Sequence, residues 1–113
     1  MQIDLNNMPI EVMDTPNKRT MGMMRRDHLN GAMTFPFDEV SERSFWMKNC
    51  KIPLDIVFLV DNKIKSLSKN AQPCIEDEEC VSHHGIADTV IEFNGGFCND
   101  NNLEVGDKLD FYV

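Results

Sequence analysis

Five polar or amphipathic residues stand inside otherwise apolar, strand-forming runs: Trp46, Lys48, Asn49, Asp55 and Glu92. If Lys48 and Glu92 face the same interior, they form a buried pair lining a small pocket, with Trp46 as a stacking platform for a sugar or other flat ligand. That chemistry is recognition. The same residues also have purely structural duties open to them: Trp46 in the core, Lys48 paired with a carboxylate, Asn49 and Asp55 bonding the backbone of the Ile52-Pro53 turn. A small hydrolase or metal-dependent enzyme would instead draw on Asp55, Glu92 and His83 or His84, two of which would have to approach within about 3–4 Å. Nucleophilic catalysis has less support. Neither Cys50 nor Cys98 has neighbours that specify a base and a third orienting group, and the chain contains no serine elbow, phosphate-cradling glycine loop or paired-histidine helix motif.

Cys74 and Cys80 bracket Ile75-Glu76-Asp77-Glu78-Glu79. As a disulfide they would hold a polar loop in order and contribute roughly 2 kcal/mol by the chain-entropy argument. As reduced thiols they would be ordinary in a cytosolic chain, and the residues alone leave both states open. Cys74, Cys80, His83 and His84 together offer sulfur and imidazole donors. The five residues between the cysteines exceed the two to four usual in zinc sites, and adjacent histidines rarely face one ion, so no metal is assigned. Glu76 to Glu79 lacks the ligand alternation and glycine of a calcium loop and reads as a solvated acidic face.

These candidates sit in a chain of 113 residues, long enough for a single domain spanning residues 1–113 to bury a core. With 42% hydrophobic and 27% charged residues, and no apolar run approaching a membrane span, the composition is that of an ordinary soluble globular protein. A net charge of −8 argues against nucleic acid, whose backbone is bound by clustered Lys and Arg. The one basic cluster, Lys18-Arg19 with Arg25-Arg26, reads as the solvated side of a short helix. Met1 to Thr20 lacks the basic start and apolar block of a secretory signal, so the expectation is a cytoplasmic chain or one from which a leader was removed.

The elements that must position the candidates follow from period and punctuation. Met1 to Asp14 alternates weakly, as two short strands or one broken one. Thr15-Pro16 opens a helix expected to run to about Arg26, with Gly22 in its middle where another element packs close. Met33, Phe35 and Phe37 mark one face of a strand with Pro36 at an edge or bulge, followed by a polar connection over 38–43. Residues 44–49, 54–60 and 63–67 predict a three-strand meander, the last two joined by a tight Asp61-Asn62 turn. Gln72 to Ala87 reads as a long loop, Asp88 to Phe93 as a strand, Phe97 to Leu103 as a helical turn and Lys108 to Val113 as a final strand. Met21, Met23, Met24, Met33 and Met47 all fall in segments expected in the core.

Several of these segments together resemble domain of unknown function family 192. They are Arg19 to Arg26 with Leu29, Gly31 to Phe37, Ser44 to Asp55, Pro73-Cys74 with Cys80, Val90-Ile91-Glu92 with Gly95-Gly96, and Gly106-Asp107, in the family's order. Cys50 stands where the family usually has threonine, and His83 where a tyrosine often follows the second loop cysteine. The resemblance implies a mainly β fold, a small jelly-roll-like β-sandwich or barrel of seven or eight strands with one short α-helix. It implies no reaction, and a family-like disulfide would argue for export.

The expectation is therefore a non-enzymatic binding module for a small molecule, glycan or protein partner, without a cofactor. Its cleft would lie near the Trp46–Asp55 segment and the Cys74–Cys80 loop. The alternatives are the small hydrolase or metal-dependent enzyme above, and an accessory or structural protein without a ligand.

Overall fold

The computed structural model describes residues 1–75 and 79–112. The strands β1 (Gln2–Asp4), β2 (Ile10–Val12), β3 (Ala32–Trp46), β4 (Leu54–Val60), β5 (Lys63–Ala71), β6 (Ser82–Asn94) and β7 (Lys108–Asp110) are joined by two short helices, α1 (Pro16–Met21) and α2 (Phe97–Asp100). All seven strands belong to one mixed sheet in the order β1-β7-β5-β4-β6-β3-β2, curled into a half-barrel. The mainly β expectation holds, but two packed sheets do not occur among the described residues. The reason lies in how each sheet face is covered.

β4 reads Leu-Asp-Ile-Val-Phe-Leu-Val and is buried at six of its seven positions, because both faces of the sheet at its centre are packed. Ile56 and Phe58 join a cluster with Met13, Met23, Leu29, Phe35, Met47 and Val90. Val57 and Leu59 join a second cluster with Leu5, Phe93, Cys98, Leu103 and Leu109. Apolar residues of connecting segments and short helices thus do the work that a second sheet does in a sandwich.

The Asp61-Asn62 turn forms as expected, with φ of 52° and 62° at its two residues, linking β4 to β5. The first strand of the expected meander is elsewhere: β3 pairs with β6, which lies between β3 and β4. β3 and β6 are the longest strands, 15 and 13 residues, and their pairing shifts register between Pro36 and Ser41, where proline cannot donate to the ladder. Beyond the shift, residues 41–46 and 82–87 pair as a ribbon. The expected polar connection over 38–43 is therefore strand, and the expected loop ends before Ser82, which places His83 and His84 in β6.

Thr15 caps α1 by accepting the Lys18 N–H at 3.2 Å, and Pro16 occupies its first position, as expected. The helix stops at Met21 rather than Arg26 because Gly22 adopts φ +43°, a conformation side chains resist. A Cβ at Gly22 would touch the Phe35 ring at 3.5 Å, so the close approach inferred for this glycine exists at the end of the helix. Met21 is 45% exposed, contrary to its expected place in the core, whereas Met23, Met33 and Met47 are buried. The final strand is shorter than expected, Lys108–Asp110; Val113 and Glu76-Asp77-Glu78 lie outside the described residues.

Candidate functional site

Between α1 with its following segment and the curled half of β3 lies a cavity of about 610 Å³. Its lining includes Arg19, Gly22, Met23, Phe35, Phe37, Arg43, Phe45, Trp46, Cys50 and Glu92. The end of α1 at Gly22 turns the chain so that Met23 enters the core beside Phe35. Phe35, Phe37, Arg43 and Phe45 keep one parity along β3 on both sides of the register shift and all border the cavity, with Phe45 edge-on to Phe35 at 4.9 Å between ring centroids.

Glu92 is the unusual member. It stands in β6 opposite Met33 of β3 and Ile56 of β4, within apolar surroundings, and its Oε1 is buried with no hydrogen-bond partner. Burial pushes its carboxyl up to about 8, so near neutral pH it holds a proton and can donate a hydrogen bond. Cys50, half-buried nearby, is pushed up to about 11 by burial and by the Glu92 charge. Its thiol therefore stays protonated near neutral pH and is a poor nucleophile.

The expected Lys48–Glu92 pair does not form. The Lys48 ammonium instead lies 5.0 Å from the Trp46 ring centroid, a cation–π contact at the rim. Trp46 is 51% exposed and is no core residue. Asn49 adopts φ 61° in the bend after β3, where its N–H donates to Cys74 O and its carbonyl accepts from Arg25 N–H.

Asp55 is placed on the opposite face of the sheet. Its β6 partner is Phe93, one residue from Glu92, and side chains of adjacent strand residues point to opposite sides. The Asp55 carboxylate accepts backbone N–H groups of Asn70 at 2.7 Å, Gly96 at 3.2 Å and Cys98 at 2.8 Å. It ties α2 to the end of β5, and it does not bond the Ile52-Pro53 turn. Asp55 and Glu92 therefore point to opposite faces of the sheet and do not form one of the close pairs an acid–base site could use. His84 Nδ1 lies 2.9 Å from Ser44 Oγ and 3.7 Å from Glu42 on the ribbon. Burial and the neighbouring His84 lower the pKa of His83.

Cys74 and Cys80 are joined as a disulfide, which removes both sulfurs as ligands for a metal. The bridge is anchored beside the cavity, since Cys74 N–H donates to Met47 O and Asn49 N–H to Cys74 O. Arg19, Phe37, Arg43 and Phe45 escaped the reading of the sequence. The available signal was weak: Arg43 lies opposite Gly85, where a side chain would overlap the Phe58 ring, which marks a crowded inner face of the ribbon.

One curled, mixed seven-stranded sheet with two short helices makes this a small, mainly β domain. The chain belongs to the family described as DUF192, Uncharacterized ACR, whose model matches residues 1–111. It is similar to a protein of unknown function from Novosphingobium aromaticivorans, with 32% identity, a TM-score of 0.76, and coverage of 88% of this chain and 71% of that one. It is also similar to a protein from Sinorhizobium meliloti described as a candidate transcription regulator, with 29% identity, a TM-score of 0.77, and coverage of 88% and 78%. No curated protein matches the chain. No helix among the described residues is long and apolar enough to cross a membrane.

Proposed function

We propose that this chain, folding as one domain, is a binding module that recognises a small molecule in the cavity between α1 and β3. The observation that carries this reading is Glu92, a buried carboxyl with an unpartnered oxygen on the wall of a cavity large enough for a ligand. An unpartnered buried polar atom is costly, on the order of 1–3 kcal/mol, and an apolar residue of like size would remove that cost. A ligand that hydrogen-bonds Glu92 gives the carboxyl a use. Trp46 and Lys48 form the rim of the proposed site, Asn49 shapes the bend below it, and Asp55 supports the fold from the other face.

The description of the Sinorhizobium protein raises contact with DNA as another use of the fold. For this chain the net charge of −8 weighs against a phosphate backbone and in favour of a small ligand. Cys50 and Glu92, both protonated near neutral pH and without a paired base, favour recognition over catalysis.

A thermal-shift screen of a fragment library tests this reading against wild type, Trp46→Ala and Glu92→Gln. A ligand at a hundred times its Kd stabilises by about 2.7 kcal/mol, several degrees for a domain of this size. Hits are expected to stabilise wild type and to lose most of that effect in both folded variants. Hits that shift all three proteins equally place the ligand elsewhere and reject the cavity.

A further inference from the structure

Arg19 and Arg43 both line the cavity, and both guanidinium groups lie by the Phe37 ring, Arg43 at 3.9 Å and Arg19 at 5.4 Å from its centroid. Their hydrogen bonds go to neutral acceptors. Arg43 donates from Nε to Ala87 O at 3.2 Å and from Nη2 to Glu39 O, and Arg19 donates from Nη1 to Pro36 O at 3.5 Å. Neither has a carboxylate partner among the described residues, although the chain carries 19 acids against 11 bases. By contrast, Arg26 pairs with Glu11 through both of its terminal nitrogens. Two cations at one ring with no carboxylate in ion-pair contact favour an anion near them, although Asp38 and Glu39 border the neighbouring groove that both arginines also line. The planar forks of arginine suit a carboxylate in particular.

We propose that the cavity takes a small monoanionic carboxylate on an apolar or aromatic body, its charged end held by Arg19 and Arg43 and its body against Phe35, Phe45 and Met23. This rests on the cavity being a ligand site. The acidic members of the lining limit the charge of the ligand. Glu42 is exposed near the mouth and the chain's field is negative, so a dianion meets repulsion that a monoanion meets less. Glu92, carrying its proton, serves a polar atom at the far end of the body without opposing the charge.

NMR titrations of the isotope-labelled chain with benzoate, its neutral isostere benzamide, and phenyl phosphate test the assignment. Benzoate is expected to shift resonances of residues 19–24 and 42–46 and to bind at least about tenfold tighter than benzamide. Arg19→Gln and Arg43→Gln are each expected to lower benzoate affinity about tenfold and to leave benzamide unchanged. Arg19→Gln is the safer variant, because its side chain lies on the surface helix. Benzamide binding in the cavity as tightly as benzoate overturns the anion assignment while the cavity reading stands. Phenyl phosphate binding tighter than benzoate overturns the monoanion. The absence of cavity shifts with every probe at millimolar concentration overturns both the assignment and the binding reading beneath it.

Discussion

Glu92 ties stability to pH. In the folded chain its carboxyl is held up to about 8 by burial, whereas in the unfolded chain it titrates in the usual carboxylate range. The native state therefore retains a proton that the unfolded state releases first. The contribution is fully present below the unfolded pKa and is lost as pH rises toward the folded one. Unfolding free energy measured in urea is expected to fall by several kcal/mol between about pH 5 and pH 8, and Glu92→Gln is expected to flatten that slope. His83 acts in the opposite sense: its pKa is lowered, so its stabilisation is present above its unfolded pKa and lost on acidification. The difference between wild type and Glu92→Gln isolates the glutamate. A slope unchanged by the substitution would show that Glu92 does not hold its proton.

Asp55 shows how one side chain can fix two elements. Three backbone N–H groups from the end of β5 and the start of α2 converge on its carboxylate. Removing it leaves buried donors without partners, so Asp55→Ala is expected to lower the free energy of unfolding by at least about 2 kcal/mol in chemical denaturation. Its ligand affinity, measured on the folded fraction, is expected to stay near wild type, because the residue lies across the sheet from the cavity. Gly85 does comparable work for the ribbon. A methyl group there would overlap the Phe58 ring, and Gly85→Ala is expected to cost roughly 1–3 kcal/mol by the same measurement. The Cys74–Cys80 bridge holds the segment that borders the cavity through Met47 and Asn49. Reduction is expected to cost roughly 2 kcal/mol, read as a melting point lower by several degrees.

For the molecule as a whole, local signals carried the elements and long-range pairing carried the surprises. The β4–β5 hairpin was legible because Asp61 and Asn62 tolerate positive φ and six apolar residues precede them. The start of α1 was legible because Thr15 and Pro16 are cap chemistry. The full length of β3 and β6 was hidden, since residues 38–43 and 82–87 lie in half-exposed parts of these strands whose polar side chains imitate loop composition. The insertion of β6 between β3 and β4 leaves no trace in local pattern, because pairing partners far apart in sequence are selected by packing. Of the candidate residues, Glu92 and Trp46 were visible as polar or amphipathic side chains in apolar strands. Arg19 looked like a solvated helix charge, and only the fold shows Phe37 beneath it.

Whether a neutral carboxylic acid stands on the wall of the cavity is read from a carbon-detected NMR titration of the Glu92 carboxyl in the folded chain. Burial of Glu92 is expected to put the midpoint at about 8. A midpoint in the usual carboxylate range would contradict it, because Glu92 would then be solvated or paired and would not be available as a hydrogen-bond donor to a ligand.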